Sequence, residues 1–316
     1  YGGDWRISES YDEMVKKGVG IERMGILRLD VDNLGKIFKE GFGKNATFAR
    51  IVQLSSMLDF FFSHYINKIK EFSWDPKEGL SEKLDEYEYK AKDLVEIVYS
   101  GGDDVFIVGH WSILPDIAIW IYDNFKKFTC YNDNFSISAG ISIFDHKHPI
   151  FKAAFEAGRY EEIAKYKKRK VKDFENENIT EPNEGKSKNG ICFLDENVPV
   201  SWNDFKYLRK KVGDIYEWII IGEIIGDKKE SKKLSKGFIQ RLYFIYYEYK
   251  QGKYQNWSRW RWRACYSLNR LGEQYKNFED KIKDFSAELL ASHRSEQELV
   301  KMLYILAQWS DLLTRK

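Results

Sequence analysis

Cysteine is scarce in this chain of 316 residues: Cys130, Cys192 and Cys265 stand far apart, without CxxC or Cys/His ligand spacing. So small and odd a set excludes a disulfide framework and a structural zinc site, and it fits reduced thiols in a cytoplasm. Long apolar runs are missing too. No stretch approaches the roughly 20 residues that cross a bilayer, and the opening Tyr1-Gly2-Gly3-Asp4 lacks the basic-then-apolar pattern of a secretory signal. A membrane protein and a secreted protein are set aside, and a cytoplasmic one is expected. Neither an internal repeat nor a low-complexity tract is present. The first residue is Tyr rather than Met, so a piece of a longer protein is expected.

A strong net charge is also lacking, with 51 Lys+Arg against 49 Asp+Glu. The balance is uneven along the chain. From Trp202 to Lys316 there are 23 basic and 15 acidic residues, a balance of +8 that leaves −6 for residues 1–201 out of the total of +2. What the chain does have is 43% hydrophobic and 16% aromatic residues, enough for a buried core and about two domains at roughly 150 residues each.

Residues 23–31 (RMGILRLDV) read as a strand, and residues 46–70 as a long helix with Ile51, Leu54, Leu58, Phe61, Phe62 and Ile66 at helical spacing. A polar, acidic stretch over 75–92 separates them from two β-rich runs, 94–99 and 105–109, around Ser100-Gly101-Gly102-Asp103-Asp104, which predicts a hairpin. A helix over 113–128, a strand over 135–144, a helix over 150–166 and a last strand at 191–194 complete the order. Between the last two, 165–172 carry six basic side chains and the following residues almost nothing apolar, which predicts a mobile loop. From Trp202 the pattern is helical, with apolar segments at 215–225, 238–249, 257–271 and 285–313. The expected division is 1–22 as the end of a preceding region or linker, 23–200 as an α+β domain and 201–316 as an all-α domain.

The chemistry concentrates in Leu29-Asp30-Val31-Asp32-Asn33 and the Gly-Gly-Asp-Asp turn. A carboxylate at the end of an apolar strand or the tip of an apolar hairpin is costly unless a cation or hydrogen bonds compensate. Carboxylates converging on one sheet edge favour a hard divalent cation shared with substrate phosphates, and a pair of such ions serves in-line displacement at phosphorus. Gly101 and Gly102 allow a tight turn and a close approach of phosphate. By itself Gly-Gly-Asp is also an ordinary hairpin turn; the order Asp-x-Asp strand, long helix, GGDD hairpin is that of the palm of polymerases and nucleotide cyclases.

The segments GILRLDVDNLGKIFKEGF, LSSMLDFFFSHYIN, IVYSGGDDVFIVG, SAGISIF and HPIFKAAFEAGRYEEIAKYKK resemble the second palm domain of the large, polymerase-cyclase-like subunit of type III CRISPR effector complexes, most closely the Csm (type III-A) version. The resemblance implies a ferredoxin-like palm followed by a helical domain. It further implies binding of ATP with Mg²⁺ or Mn²⁺ and synthesis of cyclic oligoadenylate messengers in antiviral defence when the complex holds target RNA. Asp30, Asp103 and Asp104 match the metal-binding and catalytic carboxylates, with the Val31 carbonyl a further ligand. Ser55 matches a serine at the adenine pocket, Asn33 lies near the base or ribose, Gly101 and Gly102 lie at the nucleotide, and Lys165 matches a lysine that reaches the triphosphate. Partners implied are crRNA, target RNA, small helical subunits docking on the helical domain, and the HD and first palm domains N-terminal to this region, with no membrane. Two rivals remain: a GGDEF-like dinucleotide cyclase using GTP, and a ribonucleoprotein scaffold without catalysis.

Residues 236–263 combine seven basic residues, one acidic residue and ten aromatics. Interleaved Arg and Trp suit phosphate pairing and base stacking. Helical spacing of Phe238, Leu242, Ile245, Tyr246 and Tyr249, and of Trp257 and Trp260, points most of the rings into a bundle core, with Arg259, Arg261 and Arg263 outside.

Overall fold

A computed structural model of the chain describes residues 11–83, 85–166, 188–224, 231–252, 259–291 and 299–315. They fall into two compact units, Tyr1–Lys206 and Tyr207–Lys316. In chain order the first contains α1 (Tyr11–Lys17), β1 (Met24–Val31), α2 (Leu34–Glu40), α3 (Phe48–Ser63), β2 (Ser73–Asp75), β3 (Gly79–Ser81), β4 (Tyr89–Lys90), α4 (Ala91–Leu94), β5 (Val95–Gly101), β6 (Asp104–His110), α5 (Leu114–Phe128), β7 (Ile137–Phe144), α6 (Ile150–Tyr166), β8 (Gly190–Phe193) and β9 (Val200–Ser201). Helix α7 (Trp202–Tyr216) runs on into the second.

The main sheet has the order β5-β6-β1-β7-β8-β9. β1 lies antiparallel between β6 and β7, and β7 pairs in parallel with β8 after the α6 crossover. Its first four strands give the ferredoxin-like βαββαβ palm. Both faces are covered, so β7 reads as a nearly continuous buried run rather than an alternating one. On one face, Phe61 of α3 packs edge-on with Phe125 of α5, and Phe62 lies tilted against the same ring. On the other, Met14 and Val15 of α1 join Met24, Ile26, Val108, Phe144 and, from α6, Ala153 and Ala157 in one cluster. The expected linker therefore carries part of the palm core from residue 11 onward.

Strand alternation sends Ile26, Arg28 and Asp30 of β1 to the face that α6 covers. The register sets Ile26 opposite Val108, Arg28 opposite Phe106, and Asp30 opposite Asp104. α6 lies close because β7 has a glycine there. A Cβ on Gly140 would stand 2.3 Å from the Ala157 carbonyl oxygen and 2.4 Å from the Glu161 nitrogen.

Several expectations change in detail. The helix predicted over 46–70 ends at Ser63, and Tyr65–Glu71 is a 3-10 helix. The polar stretch over 75–92 is not a plain separator, since β2, β3 and β4 form a small sheet, anchored where buried Trp74 donates its indole N–H to Asp116 of α5 at 2.7 Å. α2 follows β1 directly and was not expected. The loop predicted after residue 166 lies outside the described residues.

The second unit continues α7 through a π-helical turn, Glu217–Ile221, and adds a short ribbon of β10 (Glu223–Ile224) and β11 (Ser231–Lys232). Then come α8 (Gly237–Gly252), α9 (Arg259–Gln274), α10 (Glu279–Ala291) and α11 (Leu299–Thr314). Apart from the ribbon it is helical, as expected, and the segment read over 285–313 is two helices. Phe238 of α8 packs edge-on with both Trp218 and Phe285, and Trp260 of α9 with Tyr249 of α8.

Candidate active site

β1 ends where the β5–β6 hairpin turns. Gly101 pairs with Asp104, leaving Gly102 and Asp103 as a two-residue turn. Gly102 has φ +65° at the first central position, where a type II′ hairpin turn takes glycine. The Val31 N–H donates to the Asp103 carbonyl at 3.2 Å and fastens the end of β1 to the turn. Carboxylate oxygens of Asp30, Asp103 and Asp104 consequently lie within 4.8 Å of one another, each residue half-buried. Burial, then a hydrogen bond to Asp30 and the charges of Asp30, Asp103 and Glu161, push Asp104 up to about 7. Burial and the Asp30 charge push Asp103 up as well. This is the signature of acids crowded together out of water. Three converging oxygen donors with that excess of negative charge fit a hard divalent cation.

Lys165, in the last turn of α6, reaches Asp30 and also donates to Glu161 at 2.7 Å. Burial alone would lower its pKa, but the hydrogen bonds to Asp30 and Glu161 and their charges raise it. Glu161 is 6% exposed. Burial pushes it up against the pull of Lys165 and of Arg28, whose Nε stands 3.6 Å away. The residue order dictates this network, because Arg28 and Asp30 share a strand face and Glu161 and Lys165 lie one helical turn apart.

Asp32 does not join the carboxylates. It is fully buried, accepts from Ser136 Oγ at 2.7 Å, Ser138 Oγ at 2.8 Å and the Asn189 N–H at 3.0 Å, and ties the end of β1 to β7 and β8. Ser55 lies on α3 in the wall of a cavity of about 280 Å³, together with Leu34, Phe38, Asp59, Gly102 and Asp103. A Cβ on Gly101 would be 3.6 Å from Ser63 Oγ, and one on Gly102 would meet nothing, so Gly102 is the open wall of that cavity. Asn33 is placed elsewhere. It sits in the left-handed region at the start of α2, with φ 59°, accepts from Lys188 Nζ at 2.7 Å, and lines a separate cavity between α2, α3 and residues 132–136. The lining of the Ser55 cavity begins at the next residue, Leu34.

Glu161 and Arg28 escaped the sequence reading. The available signal was the i,i+4 Glu161–Lys165 pair on the helix that follows β7. His146 meets Asp12 and Asp145 at 3.4 and 3.5 Å, and His110 is buried with Nδ1 2.8 Å from Ser112 Oγ; neither joins a metal-ligating group among the described residues.

Residues 23–173 match the family described as Cas10/Cmr2, second palm domain. A relative from Methanocaldococcus jannaschii, named CRISPR system single-strand-specific deoxyribonuclease Cas10/Csm1 (subtype III-A), is 42% identical over 149 residues, 45% of this chain and 17% of that protein. Among solved structures, a Csm1–Csm4 cassette in complex with cA4 superposes with a TM-score of 0.64 at 23% identity, covering 96% of this chain and 38% of the other. The same kind of cassette in complex with one ATP gives 0.63 at 21%, covering 100% and 40%. The chain thus spans well under half the length of the proteins it matches. No helix among the described residues is long and apolar enough to cross a membrane. Through residues 23–173 the chain belongs to the Cas10/Cmr2 second palm domain family, in the company of the subtype III-A large subunits.

Proposed function

We propose that this palm joins ATP molecules into cyclic oligoadenylates within a type III-A complex. The observation that carries the reading is the cluster of Asp30, Asp103 and Asp104 beside the cavity lined by Ser55. The solved cassettes with cA4 and with ATP support it by their ligands. Asp30, Asp103 and Asp104 would hold Mg²⁺ or Mn²⁺, which supplies charge neutralisation at phosphate and acidity at a ribose hydroxyl.

The remaining work falls to residues of the chain. The cavity between α2 and α3 receives the base against Ser55. Gly102 lets the phosphates approach the turn without a Cβ in the way. Lys165 exchanges part of its contact with Asp30 for the triphosphate, while Glu161 keeps its ammonium at the end of α6. A ribose 3′-oxygen gives up its proton to solvent and bonds to the α-phosphorus of a second ATP, the bond from that phosphorus to the bridging oxygen breaks, and pyrophosphate leaves with the electron pair. One palm holds one nucleotide, so the second comes from a facing palm, which the parent subunit or another chain provides. Target RNA, crRNA and small helical subunits belong to the same proposal.

The test assembles the complete complex with target RNA, supplies labelled ATP with Mg²⁺ or Mn²⁺, and compares the native chain with Asp103→Ala. Oligoadenylate from the native complex and a loss of at least about a hundredfold in the variant are expected. Equal output from both, or none from either, refutes the assignment. Incorporation of GTP in place of ATP transfers it to the dinucleotide-cyclase class.

A further inference from the structure

Helix α9 has two unlike faces. Trp260, Ala264, Leu268 and Leu271 are buried, at the i, i+4, i+8, i+11 spacing of a core stripe. Between them on the outside run Arg259, Trp262, Arg263, Tyr266 and Arg270, all exposed. Trp262 is 70% and Tyr266 56% exposed, yet the two rings lie parallel, 5.7 Å apart at 8°.

Single exposed aromatics are ordinary. A pair of aligned rings one turn apart, with a guanidinium before, between and after them, is a different surface. It offers flat apolar area interrupted by positive charge about every turn, over about 16 Å of helix. The acidic groups beside it are Glu248 of α8, which accepts from Arg263 at 2.5 Å, and Glu273 near the end of α9. Three arginines outnumber them on the face, and this part of the sequence carries a balance of +8.

We propose that this face of α9 binds a single-stranded polynucleotide, with Trp262 and Tyr266 stacking on bases and Arg259, Arg263 and Arg270 meeting phosphates. The charge pattern selects a polyanion, and the aligned rings select one whose planar groups are unpaired. A duplex keeps its bases stacked on each other and offers these rings nothing. Trp, Tyr and Arg also serve at protein interfaces, but here the guanidiniums alternate with the rings along the helix, which matches the alternating phosphates and bases of a strand. RNA and DNA present the same chemistry, and the experiment separates them.

The 316-residue chain is titrated, with divalent cations chelated so that the palm carboxylates hold no phosphate, against fluorescent strands of roughly a dozen nucleotides: oligo(rA), oligo(dT), and an abasic deoxyribose-phosphate strand of equal charge. Either base-bearing strand is expected to bind about tenfold or more tighter than the abasic one, and the tighter of the two names the source. Trp262→Ala and Tyr266→Ala should each erase most of that advantage, and Trp262→Phe should restore much of it. Arg259→Gln with Arg270→Gln should reduce the slope of log affinity against log salt by about 1.4. These side chains are exposed, so melting curves should match the native chain. The proposal is overturned if the abasic strand binds as well as the others, or if Trp262→Ala leaves binding of the base-bearing strands unchanged. Neither result bears on the palm chemistry.

Discussion

Replacing Asp104 by Asn should make the metal-free chain more stable, against the usual effect of altering a buried polar residue. Asp104 has an ordinary value of 3.8 and is pushed up to about 7, first by burial and then by Asp30, Asp103 and Glu161. A raised carboxyl pKa means that the folded chain binds this proton more tightly than the unfolded one. Stability therefore falls as pH rises between these values: the penalty is absent below about 3.8 and fully present above about 7. Three units at full value amount to about 4 kcal/mol. The group is only partly buried, and solvent screening brings the expected penalty to about 1–2 kcal/mol. Asn keeps the shape and removes the charge. At pH 8 with divalent cations chelated, Asp104→Asn should raise the midpoint of thermal unfolding by about 2–8 °C, and the gain should close toward pH 4. Adding Mg²⁺ or Mn²⁺ should then stabilise the native chain more than the variant, because only the native chain has the charge to be neutralised. A variant that melts at or below the native temperature at pH 8, or whose gain is the same at pH 4 as at pH 8, refutes the crowding of charge inferred at this corner.

Lys165→Met should destabilise by about 3 kcal/mol, read from denaturant midpoints, because it leaves buried Glu161 without its ammonium; if Lys165→Met with Glu161→Gln is no more stable than the single variant, the pairing is wrong. His110 is pushed down to about 4 by burial, so the folded chain loses stability as pH falls from about 6.5 to about 4, and His110→Gln should flatten urea midpoints in that window. Gly18 packs on the same ring, where a Cβ would stand 2.2 Å from it. Gly18→Ala should cost about 1–3 kcal/mol, and His110→Ala should recover part of it. Ser55→Trp should weaken ATP binding by about tenfold or more, 1.4 kcal/mol, in calorimetric titration without altering the melting curve; unchanged affinity removes Ser55 from the base pocket.

Much of the palm is legible in the sequence because its strands and long helices carry strong periods and its turn carries Gly-Gly. The meeting of Asp30 with Asp103 and Asp104 was legible for the same reason, since a strand end and a hairpin tip on one sheet edge leave little freedom. What escaped depends on contacts without a local period. α2 is a helix of seven residues with no buried side chain, so it leaves no apolar stripe. The β2–β4 sheet is too short to alternate, and the Trp74–Asp116 bond spans 42 positions. In 236–263 periodicity correctly took Trp260 inside, but Trp262, two positions on, falls on the opposite side of the helix.

Gly140 carries no functional group, yet the site's dimensions are written partly in its missing methyl. A Cβ there would have to open the contact with the α6 backbone from 2.3 Å to ordinary van der Waals distance, a displacement of about 1 Å that residues 161 and 165 would share because they ride on the same rigid helix. Position 140 thus works as a spacer gauge, setting the reach of a lysine 25 residues away. In a selection that scores folding alone, alanine at 140 should survive whenever α6 can slide outward. In one that scores turnover, glycine should be the residue that returns.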